Sequence, residues 1–238
     1  LAVSEGTEEE RWVATGGADG GVRLWGLQET EEKTEEAVTD KLTDLKFPAH
    51  SLPKVVCVAG EEDENESWSQ SKIVVCTDQG TVYQYSNGTW ENLWQGTPDF
   101  HSYCVMETVG INVKDSTAKV NLCAVGNLSG SIQVFPISHP HAGILLSGGS
   151  GKIHSLIWKE GGAGMCLLAS GAGGIVYRWC VEVKLNDGQS LALNANPLLP
   201  FRLPPCGKRW LLAALCLHSR SQGALWVCGD RRGSLLLY

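Results

Sequence analysis

Cys166-Leu167-Leu168-Ala169-Ser170-Gly171-Ala172-Gly173-Gly174-Ile175-Val176-Tyr177-Arg178-Trp179 reads as two short strands joined by a glycine turn, the second strand ending on an aromatic. The turn glycine, Gly174, stands five residues before Trp179 and two before the apolar Val176. An even step to Val176 and an odd step to Trp179 place those side chains on opposite sheet faces.

The same unit occurs five times, over 12–25, 73–85, 122–135, 166–179 and 225–238. Its turn glycines are Gly20, Gly80, Gly130, Gly174 and Gly233, and the aromatics five residues on are Trp25, Tyr85, Phe135, Trp179 and Tyr238. Glycine suits a tight hairpin because it adopts positive φ without a side-chain clash. A repeat of 44 to 60 residues, counted from one turn glycine to the next, indicates propeller blades of about 40–45 residues enlarged by loops. The expected fold class is all-β, with four-stranded β-propeller blades across 1–238.

Each blade needs two further strands. Inner strands are expected at Val55 to Ala59, Ser102 to Glu107, Ile153 to Trp158 and Trp210 to Leu217; outer strands at Trp90 to Trp94 and Ile144 to Ser147. A short helix is expected in the charged segment near Glu31 to Leu45. The strand count gives about four and a half blades, and hence the expectation of a piece of a larger propeller.

The chain has 43% hydrophobic and 19% charged residues, the balance of an ordinary folded protein. Its net charge of −7 is unevenly spread: residues 1–119 hold 9 Lys/Arg against 22 Asp/Glu, residues 120–238 hold 10 against 4. Acidic runs near 5–10, 29–36 and 61–66 repel themselves and are expected as solvated loop insertions. Most of the nine cysteines sit inside apolar runs and no C-x-x-C pair occurs, so they read as small buried hydrophobes in a reducing, cytoplasmic setting. Three N-x-S/T triplets, at Asn65, Asn87 and Asn127, point the other way, but such triplets arise often by chance.

No catalytic pattern and no metal site emerge. Ser147-Gly148-Gly149-Ser150-Gly151-Lys152 lacks both the first glycine and the final Ser/Thr of a phosphate loop, since Leu146 and Ile153 stand there. His139-Pro140-His141 has no third ligand nearby. His154 reads as a structural histidine in a strand, and Trp25, Trp158 and Trp179 as blade packing. One constellation suits a ligand: Lys208, Arg209 and Trp210 before the last inner strand, and Arg231 and Arg232 in the following turn. Those two segments are expected on one rim, where cations beside an indole fit a phosphate backbone and an exposed base.

The first copy resembles the WD-repeat family. Thr15, Asp19 and Trp25 match three of the four polar residues with which that family locks a blade, while the family's Gly-His pair survives only as Ala49-His50. Less generic stretches, among them Gly151 to Trp158 and Cys228 to Ser234, are similar to a branch of the family that assists tRNA modification. The resemblance implies a cytoplasmic, non-catalytic scaffold for a separate tRNA 2′-O-ribose methyltransferase acting on the wobble nucleotide. It also implies contact with tRNA, and an association with a growth-regulating protein kinase. The chain itself would need no cofactor, because S-adenosylmethionine would sit on the enzyme. Two other readings stand beside this one: an interaction platform with no RNA role, and, least supported, a propeller hydrolase.

Overall fold

A computed structural model of the chain describes residues 2–3, 12–29, 36–45, 52–59, 72–97, 103–161, 164–171, 174–186, 190–202, 211–219, 223–230 and 235–237. These form two compact units, residues 1–102 and 103–238.

The first unit holds two antiparallel four-stranded sheets. Blade 1 comprises β1 (Ala2–Val3), β2 (Trp12–Gly16), β3 (Val22–Glu29) and β4 (Glu36–Leu45), and blade 2 comprises β5 (Pro53–Ala59), β6 (Lys72–Thr77), β7 (Thr81–Ser86) and β8 (Thr89–Gln95). In each, sequence order equals spatial order, the meander of a propeller blade. Alternation sends Trp12, Ala14, Val22 and Leu24 of blade 1 to the same side, where they pack with Ile73 and Val75 of blade 2.

The second unit holds three sheets. Blade 3 is β9 (Tyr103–Asn112), β10 (Lys119–Asn127), β11 (Ser131–Pro136) and β12 (Ile144–Ser147). Blade 4 is β13 (Ser155–Gly161), β14 (Gly164–Ser170), β15 (Ile175–Leu185) and β16 (Leu191–Arg202). Blade 5 shows β17 (Leu211–Ser219), β18 (Gly223–Asp230) and β19 (Leu235–Leu237). The inner strand β13 packs against the inner strands β9 and β17. An apolar layer fills the space between blades 3 and 4, with Leu122, Ala124, Ile132 and Val134 on one side and Leu156, Leu167, Ala169 and Trp179 on the other.

Of the helix expected near Glu31 to Leu45, the described part, Glu36–Leu45, is instead a strand, paired with β3 from Glu29↔Glu36 to Val22↔Leu45, and 31–35 lie outside the described residues. A free edge on β3 supplies a ladder of backbone partners, broken by register shifts on either side of Trp25, which outweighs the helix preference of a Glu/Ala/Lys/Leu-rich segment. A 3-10 turn stands at Pro140–Ala142, and no α-helix occurs among the described residues.

The turn glycines behave as their spacing requires. Gly20, Gly80, Gly130 and Gly174 have φ of +82°, +75°, +94° and +75°; Gly233 lies outside the described residues. In blade 1 the Trp25 indole Nε1–H donates to Thr15 Oγ1 at 2.9 Å, tying β3 to β2. Asp19 does not join that link. Its carboxylate accepts from the Arg23 guanidinium and from the Gly21 N–H, so it closes the turn on itself. Replacing Thr15 with alanine is expected to cost about 1 kcal/mol, one hydrogen bond to a half-buried indole, measurable by urea unfolding. Replacing Asp19 should leave the Thr15–Trp25 link intact.

Candidate partner-binding surfaces

In blades 2 and 3 the turn between the second and third strands meets a loop that leads into an inner strand, and hydrogen bonds donated by backbone N–H groups fix the meeting. In blade 2, Leu52 N–H donates to Asp78 Oδ1 at 2.9 Å while Asp78 N–H donates to the Leu52 carbonyl, also at 2.9 Å. In the second unit Gly148 N–H donates to the Gly130 carbonyl at 2.7 Å, and Ile153 N–H to the Asn127 carbonyl at 3.0 Å. Turn and loop therefore share one rim. That is the arrangement expected for Lys208, Arg209, Trp210, Arg231 and Arg232, all five of which lie outside the described residues, as do Ala49 and His50.

The glycine-rich segment after β12 is a filled joint. A side chain on Gly149 would collide with the Tyr177 hydroxyl of blade 4, and one on Gly130 would collide with the Gly149 carbonyl. No helix follows the segment, as a phosphate loop would require. Asn127 is fully buried, and its Oδ1 accepts from Ser129 N–H, Ser129 Oγ and Ser131 N–H at 3.0, 3.1 and 2.8 Å. That side chain is structural, unlike Asn87, which sits exposed in the β7–β8 turn with φ +51°. Asn65 lies outside the described residues.

Electrostatics follow local pairing. The Arg23 hydrogen bond, helped by the Gly21 N–H, holds the Asp19 carboxyl down to about 2. Glu182 is lowered by Lys184, at 3.3 Å, and by Lys114, at 3.6 Å. Lys114 follows β9 and also donates its N–H to the Val183 carbonyl at 2.8 Å, so this pairing braces blade 3 against blade 4. Burial, with the Lys152 charge, lowers the His154 imidazole; a neutral ring suits the structural role expected for it. His139 and His141 flank Pro140 at the 3-10 turn, and His139 Nδ1 lies 2.9 Å from Ser138 Oγ. Among the described residues no group of three His, Cys, Asp or Glu side chains could hold a metal ion, and no helix is long and apolar enough to cross a membrane.

Two features were not foreseen from the sequence. The first is the outer edge of blade 4. Between the pairs Val176↔Phe201 and Arg178↔Leu198, Tyr177 faces both Leu199 and Pro200, a β-bulge. Arg178 Nε donates to the Leu199 carbonyl at 3.0 Å and Nη2 donates to the same oxygen, while the guanidinium lies 5.4 Å from the Phe201 ring centre. The clamp holds Leu199 outward, 82% exposed. Pro197 and Pro200 have no N–H to offer a further strand, which blunts this edge against strand addition.

The second is Glu107, in the middle of β9. It pairs with Ala124 and shares a face with Val105, Val109 and Ile111, all of which belong to the layer between blades 3 and 4. From β13 the same layer receives Leu156 and Trp158, whose indole N–H is buried without an acceptor. Burial raises the Glu107 carboxyl to about 7. The strict alternation around it was the available signal: an acid at an apolar position of an inner strand.

These features define a repeat protein of antiparallel, propeller-type blades. The fold is similar to solved propeller-type structures: BBS1N in its crystal structure with ARL6DN (TM-score 0.56, 11% identity, 96% of this chain and 73% of that one) and the computationally designed Ika8 protein (TM-score 0.56, 16% identity, 100% and 57%). In sequence the chain is similar to the tRNA (34-2′-O)-methyltransferase regulator WDR6, with 35% identity to the Bos taurus protein, 34% to the Homo sapiens protein and 33% to the Mus musculus protein. Each likeness runs over 237 residues, 97% of this chain, which spans 19% of the length of these relatives. No family model matches the chain.

Proposed function

We propose that the protein is a non-catalytic, cytoplasmic scaffold that assists a separate 2′-O-ribose methyltransferase at the wobble nucleotide of tRNA. The observation that carries this reading is identity of about a third, along nearly the whole chain, to proteins named as regulators of such an enzyme. The architecture agrees with it: rigid blades with tied rims orient partners and leave the chemistry to the enzyme. The enzyme would bring S-adenosylmethionine. The tRNA would meet the rim bearing Lys208, Arg209, Trp210, Arg231 and Arg232, which occupy in blade 5 the sequence positions that Leu52 and Asp78 occupy in blade 2.

Direct tRNA contact is tested by measuring tRNA affinity against salt. Each phosphate neutralised adds close to −0.9 (duplex) or −0.7 (single strand) to the slope of log K against log salt. The double substitution Arg231→Ala with Arg232→Ala is expected to weaken tRNA binding and to make that slope shallower by about 1.5. An unchanged slope removes these arginines from the interface, and a protein with no salt-dependent binding has no RNA contact of its own.

A further inference from the structure

Cys166 and Cys180 stand directly opposite each other on the antiparallel strands β14 and β15. Directly opposed residues in such a ladder have Cα atoms about 4.5–5.5 Å apart, inside the roughly 4.4–6.8 Å that a disulfide spans. The register also turns the two side chains to one face, and the Cys180 thiol lies within hydrogen-bonding reach of Cys166. Both are reduced in the structure. No other described cysteines oppose each other. Cys57 faces Val74, Cys76 faces Val55 and Val82, Cys123 faces Thr108 and Phe135, and Cys216 and Cys228 face Trp226 and Ala214.

We propose that Cys166 and Cys180 form a reversible cross-strand disulfide, a redox-modified site that clamps the central hairpin of blade 4. The two thiols divide the work by exposure, since Cys166 is half-buried and Cys180 is buried. Cys166 is the sulfur that a small oxidant reaches, and Cys180 is the sulfur waiting beside it. With hydrogen peroxide as oxidant, the Cys166 thiolate attacks one peroxide oxygen, an S–O bond forms, the O–O bond breaks, and the departing hydroxide takes up the thiol proton as water. The Cys180 sulfur then attacks Cys166, the S–S bond forms, the S–O bond breaks, and a second water leaves with the Cys180 proton. Two thiols are oxidised and one peroxide is reduced to two waters.

The surroundings make this a slow response. Lys159, opposite Cys166 on β13, and Arg178 on β15 favour its thiolate, but burial and the neighbouring Cys180 outweigh them and raise the Cys166 thiol above its ordinary value. A protonated thiol is a poor nucleophile, so brief oxidant exposure leaves the pair reduced and sustained exposure closes it. Closure joins the two ends of the hairpin through the 170–175 turn, next to the joint where Tyr177 meets Gly149.

The test treats the intact protein with hydrogen peroxide, blocks free thiols with N-ethylmaleimide, and maps peptides without reduction. The expected product is one peptide pair linked through Cys166 and Cys180, lighter by two hydrogens and separated by dithiothreitol. Oxidised protein should also unfold at a higher temperature than the same sample after dithiothreitol. Cys166→Ser and Cys180→Ser should each remove the linked pair. If both cysteines still carry maleimide after prolonged peroxide, or if Cys166 is found joined to another cysteine, the proposal is overturned. The wild-type map alone gives that answer, whether or not the serine variants fold.

Discussion

Glutamine in place of Glu107 is expected to stabilise the protein at pH 8 by up to about 3 kcal/mol and to flatten its stability between pH 4.5 and 7. The carboxyl rises to about 7 in the folded chain from 4.5 when solvated, because it is desolvated on the face of β9 that it shares with Val105 and Val109, opposite Ala124. Glu160, further along the Trp158 face of β13, is exposed, and no cation occupies the described positions of this face on β9, β10 or β13. Between the two values the native state binds the extra proton. Stability from this site is therefore complete below pH 4.5, falls as pH rises, and is fully lost above 7. The slope approaches about 1.4 kcal/mol per pH unit within that window. Urea unfolding of wild type and Glu107→Gln at half-unit steps from pH 4.5 to 8 measures it. Parallel curves for the two proteins would mean that Glu107 does not titrate in the layer.

Gly130→Ala is expected to destabilise the protein by about 3 kcal/mol or more, whereas Gly164→Ala should cost only about 1 kcal/mol. Both glycines have positive φ, +94° and +114°. They differ in what a methyl group would meet. At Gly130 the new carbon would collide with the Gly149 carbonyl and stand 3.0 Å from that of Gly151, whereas at Gly164 nothing lies within 4 Å. The backbone carbonyls at the joint cannot rotate away as a flexible side chain would, and Gly148 is already tied to Gly130 by its hydrogen bond. For a chain of this size, 3 kcal/mol corresponds to a fall of roughly 6–12 °C in the unfolding midpoint. Equal shifts for the two variants would mean that conformation alone, and not the tight joint between blades 3 and 4, makes Gly130 necessary.

The hairpins were legible because their signals are local. A turn glycine, an apolar residue two later and an aromatic five later all fall within one turn and the strand that follows it, and Trp25 of β3 reaches Thr15 on the adjacent β2 by a hydrogen bond. Outer strands were harder to read. β4 carries a charged, helix-favouring composition and β16 contains two prolines; each is a strand because its neighbour offers an open ladder, a tertiary cause. The same limit applies to the surfaces. Nothing near Leu199 in sequence reveals that Arg178, 21 residues earlier, clamps its carbonyl, and the opposition of Cys166 to Cys180 exists only once the register is fixed. The WD-type lock was half legible. Thr15 and Trp25 do join, but Asp19 had a nearer partner in Arg23, four residues on.

The most direct test of the scaffold account is methyl transfer from S-adenosylmethionine to the wobble ribose of tRNA, with the purified protein alone, the methyltransferase alone, and the two together. The account predicts no transfer by the protein alone and faster transfer by the mixture than by the enzyme alone. Transfer by the protein alone, or an enzyme rate that its addition leaves unchanged, would contradict it.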